Sequence, residues 1–452
     1  MRGYTVKEYD KSNISQLVWP DNYDADYCRN FIVPMMEEGA DKYVANVRPD
    51  VTVVKILHII PEMSFEDDAK HSSPDEVVVP ITVNIQEQYE SYNCYTASPY
   101  HHYISYGLAE AEANPLHYTL KLLIRTIAAV IAFFFRFTNL EKVVIVNNWL
   151  VSTNLYSNFN SDQIEAITTF LCAKYPSHAI IYRSINEAIT KDLYQRFSNL
   201  NFLPIPSRSI YTSDSRDPKL WRVRNVKQDI DLTNRTCVIG PITQGQELGE
   251  KKYEILQHKY LKELTTDQEG KISADHPIVL RIVELYNYLY LNKYPDLNVQ
   301  FTPAFVADSL QNNILNVEAI RNISTNSIDG VVGFYRRVYY PYNEQEQEWE
   351  YDKKRTVQTC PIFGYDISFN VDSHPMYKIL SVISALDGKN KDVIINQSSG
   401  AAQFKRFRGC KGCIEYSCIY ESHLPIMRRV PWRILYLASE YIAKPIVKYY
   451  KL

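Results

Sequence analysis

The sequence predicts an α/β fold of two tandem halves, each a mixed, mostly antiparallel sheet flanked by helices. Three observations predict it. The chain has 452 residues, more than one ordinary domain uses. Between Lys142 and Thr212 the segments alternate as strand, helix, strand, helix, strand. A similar alternation returns between Gly330 and Tyr420 with little identity, as an old internal duplication would leave it. The expected division is an N-terminal cap at 1–45, an N-terminal α/β domain at 46–225 and a C-terminal α/β domain at 226–452. The polar stretch Thr212 to Leu232, rich in Asp and Arg, is the expected connection.

Each element has its own signal. Val51 to Ile60 is compact and β-branched, as is Val77 to Ile85, and both read as strands. Acidic, Ser-containing Glu66 to Asp75 between them reads as a loop. Helices are expected at His101 to Glu112 and Tyr118 to Phe137. The second is very apolar, but its uninterrupted run Ile127 to Phe135 is too short to cross a bilayer, so no transmembrane segment is expected. Lys142 to Asn147 reads as a buried strand. A helix follows from Gln163 to Tyr175 with Ser161 as its N-cap. Then come a strand (Ala179 to Tyr182), a helix (Ile185 to Leu200) and a strand (Arg208 to Thr212).

In the second half, Ile278, Ile282, Leu285 and Leu289 recur at helical spacing within Asp275 to Tyr294. Thr302 followed by Pro303 opens another helix. Gly330 to Val338 and Cys360 to Phe369 read as two strands of a hairpin with the charged tip Tyr342 to Lys354. A helix (Pro375 to Leu386), a strand (Asp392 to Asn396), a short helix (Gly400 to Phe407) and a strand (Ile414 to Tyr420) complete the pattern.

Composition excludes some functions. With 46% hydrophobic and 22% charged residues, the chain can bury sizeable cores and is not a disordered protein. A formal net charge of -3 gives no global field for nucleic acid. The charge is uneven, however. After Ala401 the bases are Lys405, Arg406, Arg408, Lys411, Arg428, Arg429, Arg433, Lys444, Lys448 and Lys451, against the acids Glu415, Glu421 and Glu440. Such a face suits a phosphorylated ligand, RNA or an anionic membrane surface, or is simply solvated. The eight cysteines are scattered, and no secretory signal pattern opens the chain, so free thiols and a cytoplasmic location are expected. Cys410 and Cys413 have CxxC spacing, but no second pair completes a zinc set, and no metal site is expected.

The segment Asn396-Gln-Ser-Ser-Gly-Ala-Ala-Gln-Phe-Lys-Arg-Phe-Arg-Gly409 follows a buried strand. It resembles the region after the fifth strand of GNAT-type N-acyltransferases, which read Ala-x-x-Phe-Tyr-x-x-x-Gly. Ala401, Phe404 and Gly409 match, while Lys405 stands at the Tyr position. That Lys is similar to the Fem-type branch of the superfamily. Leu193 to Phe202 resembles the same helix end in the first half, with Asn201 in place of the Gly. The glycine-rich turn that cradles a cofactor pyrophosphate in the family is absent. Asn370 to Tyr377 stands in its place in the second half, and Asn147 to Asn154 in the first.

The resemblance implies two tandem GNAT-like domains, the first degenerate and the second the active one. It implies transfer of an acyl group from a thioester donor, acyl-CoA, to a small-molecule or peptide amine by direct attack. A Fem-type member would instead take an aminoacyl group from tRNA. A catalytically silent binding protein that kept the fold is the third reading. Lys405 would border a cleft between parting strands, holding an anion, stabilising an oxyanion, or acting as acid or base at a lowered pKa. Asp366 and His423 are the other candidate proton acceptors, with a paired carboxylate and a loop hydrogen bond as their alternatives. Arg408, less so Arg406, would clamp a phosphate. Asn396, Ser398 and Ser399 end a buried strand, where α/β sites gather, although a Ser there also caps helices. Tyr365 and Tyr335 lie on the hairpin strands, where alternation puts Tyr335 and Arg337 on one face and Arg336 on the other. Asn147, Asn148 and Trp149 form either a second ligand site or an Asx turn.

Overall fold

The computed structural model describes residues 3–58, 76–85, 93–113, 116–243, 245, 247–292, 296–367 and 375–450. In the N-terminal half the strands are β1 (Tyr4–Tyr9), β2 (Asp50–His58), β3 (Val77–Val83), β4 (Val143–Val146), β5 (Ala179–Asn186) and β6 (Leu203–Asp214). The C-terminal half supplies β7 (Cys237–Ile239), β8 (Tyr253–Leu256), β9 (Asn316–Asn322) and β10 (Ile328–Tyr339). A small hairpin, β11 (Tyr342–Asn343) with β12 (Glu348–Trp349), projects from it. Then follow β13 (Arg355–Tyr365), β14 (Val393–Asn396) and β15 (Lys411–Tyr420).

All but the small hairpin join one sheet, in the order β1-β2-β3-β4-β5-β15-β6-β14-β13-β10-β9-β8-β7. The order is two-fold symmetric once edge strand β7 is set aside. From one end, β1, β2, β3 and β4 pair antiparallel and β4 pairs β5 in parallel. From the other end, β8, β9, β10 and β13 pair antiparallel and β13 pairs β14 in parallel. The sixth strand of each run then crosses over. β15 lies against β5, β6 lies against β14, and β15 and β6 pair with each other at the centre. The α/β expectation with two repeated halves therefore holds, and the halves share one sheet.

The exchange has a physical motive. A half alone would leave the fifth strand as a bare edge, with unpaired N–H and C=O groups. Each half closes that edge with the other's last strand. The largest apolar core accordingly runs through both halves, from Phe31 and Trp149 to Leu285 and Val331.

Several boundaries differ from the sequence reading. Residues 3–45 are packed into the fold, where a loose cap is expected over 1–45. β1 forms the sheet edge on β2, and the helix Tyr23–Glu38 buries Cys28, Phe31, Ile32 and Met35. Thr212 to Leu232 is not a bare linker, since it holds the end of β6, a short turn of 3-10 helix and most of the helix Arg224–Thr236. β5 continues to Asn186 because Ile185 and Asn186 pair with Tyr416 and Glu415. The next helix is therefore only Lys191–Asn199. Asn160, not Ser161, caps the helix Ser161–Lys174. Gln163 N donates to Asn160 Oδ1 at 2.8 Å, and Asn160 N donates to Gln163 Oε1 at 3.0 Å. β13 begins five residues before Cys360. Glu66 to Asp75 and most of Asn370 to Tyr377 lie outside the described residues.

Candidate functional site

Besides the edge pair β7/β8, each half carries one parallel pair inside the sheet, β4/β5 and β13/β14, and each of these two pairs parts at its C-terminal end. In the C-terminal half the ladder between β13 and β14 ends at Thr359 and Asn396. β13 continues to Tyr365 on β10, so past Thr359 its other edge has no strand partner among the described residues. Thr359 Oγ1 is buried at the fork with no hydrogen-bond partner among the described residues.

The turn after β14 is tightly wound. Ser398, Gly400 and Ala401 all have positive φ, at 57°, 78° and 45°. Gly400 adopts this geometry without strain, whereas Ala401 does not. The turn is held by Lys405, which is 5% exposed in the short helix Ala402–Arg406. Its Nζ donates to Gln397 O at 2.6 Å, Ser399 O at 2.8 Å and Ser398 O at 3.3 Å. All three contacts are to the turn itself, so Lys405 braces the turn. Burial, reinforced by the nearby Arg208 cation, lowers its pKa to about 8. Asn396 Oδ1 accepts from Ser398 N at 2.9 Å, and the Ser398 and Ser399 carbonyls accept from Lys405.

Aromatic rings bridge the fork on the side of the helix Met376–Lys389. Tyr377 meets Phe363 of β13 at 5.1 Å and Phe404 at 4.5 Å. Tyr365 joins this cluster at 6.2 Å from Tyr377. Cys360 contacts Ser384 Oγ at 3.2 Å, and burial pushes its thiol pKa up to about 11. Beside the cluster lies a cleft of about 550 Å³ lined by Asn225, Gln228, Asp229, Arg235, Lys378 and Arg408, among others. Arg408 donates to Asp229 at 2.6 Å and stacks 3.3 Å from the Phe404 ring.

Of the two other candidate proton acceptors, one is held in an ion pair and the other lies far from this fork. The Asp366 carboxylate accepts from Arg281 at 2.6 Å, so it is held as half of an ion pair. His423 follows β15, whose first residue, Lys411, pairs with Thr212 next to Asn396. Tyr420 is nine residues further on, which puts His423 at the opposite sheet end, about 30 Å away at the usual strand rise. Its Nε2 donates to His178 O at 2.9 Å, the loop hydrogen bond foreseen as the alternative.

The N-terminal fork is filled with protein. Asn147, Asn148 and Trp149 are all buried, which removes them as an exposed second ligand site. Asn147 Nδ2 donates to Leu155 O at 2.9 Å, and Trp149 Nε1 donates to Asn147 Oδ1 at 2.8 Å. Asn148 Nδ2 donates to Thr82 Oγ1 at 2.8 Å, while its Oδ1 accepts from Leu150 N at 3.3 Å in an Asx turn. Tyr335 crosses from the other half and donates to Thr153 O at 2.7 Å. Arg337, on the same face, lies 4.1 Å from the Tyr27 ring and 4.4 Å from Trp149, and pairs with Asp24 at 2.8 Å. These residues clamp the halves together.

Sequence reasoning missed Tyr377, Thr359 and a buried charge cluster at the central strands. Arg208 donates to Glu415 at 2.8 Å and to Ser152 O at 2.6 Å. Arg183, 4% exposed, donates to Thr96 O at 3.0 Å and has no carboxylate partner among the described residues. Arg and Glu inside β-type runs are the signal that could have found it. Among the described residues no group of three or more His, Cys, Asp or Glu could hold a metal ion. No helix among them is long and apolar enough to cross a membrane.

No family model and no curated protein matches the sequence. Solved structures with a similar trace include a tandem GNAT protein from the clavulanic acid biosynthesis pathway, at 6% identity and TM-score 0.36, covering 94% of this chain and 99% of that one. The L-PGS structure from Bacillus licheniformis has 11% identity and TM-score 0.36, covering 65% of this chain and 82% of that one. Saccharomyces cerevisiae N-myristoyltransferase with bound myristoyl-CoA has 10% identity and TM-score 0.30, covering 62% of this chain and 59% of that one. At these TM-scores none of them bears on the reading of this chain, whose fold is read from its own strand order.

Proposed function

We propose that this protein is an N-acyltransferase that moves an acyl group from a thioester donor of the acyl-CoA class to an amine, with the β13/β14 fork as the transfer site. One observation carries the reading. The same strand programme occurs twice, but of the two forks the C-terminal one has a cleft beside it, lined by Arg235, Lys378 and Arg408 together with Asp229 and Asp231, while the N-terminal one is packed with its own loop and Tyr335.

The chemistry fits the groups present. Lys378 in the first turn of the helix Met376–Lys389, with Arg408 and Arg235 across the cleft, suits the phosphates of such a donor. The free edge of β13 past Thr359 offers backbone N–H groups to an acyl carbonyl, where oxyanion charge would develop. The amine nitrogen attacks the carbonyl carbon, the C–N bond forms, and the C–S bond breaks with the electron pair leaving on sulfur. The attacking nitrogen, cationic once bonded to the carbonyl carbon, gives up a proton to the departing thiolate or to water, leaving a neutral amide and a thiol. Neither Asp366 nor His423 is placed as a base, so the amine arrives neutral and positioning does most of the work. Lys405 is a positioning residue that sets the shape of the turn at the fork.

A second reading, a binding protein that kept the fold without activity, is favoured by the Tyr377 bridge between Phe363 and Phe404. Thermal denaturation with acetyl-CoA and palmitoyl-CoA separates the two, run on the protein and on Tyr377→Ala. A donor at about 100 times its Kd should stabilise the fold by about 2.7 kcal/mol. Thiol release with an added amine should follow. If neither donor shifts the melting of either protein, the acyltransferase reading fails and the silent one stands.

A further inference from the structure

The helices Tyr118–Phe137 and Ile426–Ala438 lie side by side on one face of the N-terminal half of the sheet. Phe135 and Trp432 meet at 6.1 Å, and both helices bury residues in one core with Val143, Ile145, Ile181 and Ile419. Because both bury a stripe against the same sheet face, their opposite stripes point the same way, to solvent.

Those outer stripes are apolar. Leu122, Phe133 and Phe137 are exposed at 49%, 65% and 70%, and Ile426, Leu437 and Tyr441 at 70%, 52% and 69%. On the first helix these positions are eleven and four residues apart, which keeps them within one arc of roughly 60° at the usual helical turn. On the second the stripe continues through Tyr441 into the helical turns that follow. Of the twenty large apolar side chains exposed among the described residues, twelve belong to 118–137 and 426–449. About a tenth of the chain thus carries twelve of these twenty side chains, which is a patch and not scatter.

Charge identifies the occupant. Residues 118–137 and 426–450 contain eight Lys and Arg and one acid, Glu440. Arg125 pairs with Glu112, Arg433 with Glu421 and Lys444 with Glu440. Three of the eight cations are thus ion-paired, and the two segments hold one acid of their own against eight bases. A protein partner or a second copy would need no such excess around an apolar face. A bilayer with anionic headgroups needs both, apolar side chains entering the acyl boundary and cations at the headgroup level.

We propose that this helix pair is a peripheral docking face for an anionic lipid bilayer, lying in the plane of the surface. The test is flotation of the full chain with vesicles of phosphatidylcholine containing about one quarter phosphatidylglycerol, and with phosphatidylcholine alone. The protein should float with the anionic vesicles at low salt and be released at high salt. Phe133→Glu combined with Leu437→Glu should weaken flotation at least about ten-fold, with an unchanged circular dichroism melt, since both side chains are exposed. Failure of the unaltered protein to float overturns the proposal, as does equal flotation of the double variant. A concentration-dependent dimer that the same substitutions disperse, without flotation, overturns it in favour of contact between copies.

Discussion

Glu141 shows what one buried group imposes on its surroundings. It is 2% exposed just before β4, and its Oε1 accepts from Tyr100 N at 2.7 Å and Ser98 Oγ at 3.1 Å. Those bonds favour the charged form, but burial wins and raises its pKa from 4.5 to about 7. The raised value belongs to the folded state, so the protonated acid is bound more tightly there. Its contribution to stability is full below pH 4.5 and is lost as the pH rises through about 7. Glu141→Gln should be nearly neutral at pH 5 and relatively stabilising at pH 8, by about 3 kcal/mol at most. Urea denaturation of both proteins at the two pH values checks this, and an equal difference at both would refute the assignment. Lys405 shows what spacing along the chain can and cannot carry. Its place after β14 was legible from the Phe404–Gly409 spacing. That its ammonium turns inward on three carbonyls was not, because the direction of a side chain depends on turn dihedrals that spacing does not encode.

At the scale of elements, close approach decides as much as periodicity does. The helix Pro277–Tyr290 crosses β13 at Gly364, where a Cβ would stand 2.5 Å from the Leu285 carbonyl carbon and 2.6 Å from Tyr286 N. These are backbone atoms and cannot swing aside, so the helix would have to move. Gly364→Ala should cost at least about 3 kcal/mol, read as a lower urea midpoint with an unchanged slope. If the variant melts like the parent, the helix is not seated as described. Helical spacing announced that helix, and Pro303 announced the next one. The helix Tyr23–Glu38 was not announced, since Pro34 and scattered polar residues weaken its pattern, and only tertiary burial of Phe31 and Met35 makes its face plain. The apolar, basic character of Tyr118–Phe137 was visible in the sequence. That its partner would be Ile426–Ala438, some three hundred residues on, was not.

For the whole molecule, the exchanged strands make the halves one cooperative unit. Ending the chain before Lys411 removes β15 and exposes edges on both β5 and β6, so it should unfold the N-terminal half along with the C-terminal one. The intact chain should unfold in urea in a single transition by both tryptophan fluorescence and far-ultraviolet circular dichroism. Two separated transitions, or a folded N-terminal half in the truncated chain, would contradict the shared sheet. The sequence by itself determined the α/β class, the repeated programme and most strands and helices of the central region, because these follow from local periodicity and turn residues. Only the tertiary structure decided that β6 and β15 trade places, that Asn147, Asn148 and Trp149 are interior, that Asp366 pairs with Arg281 and that His423 stands at the opposite sheet end. Pairing between strands distant in the chain leaves no mark on either strand's own pattern, and the position of every candidate side chain depends on that pairing.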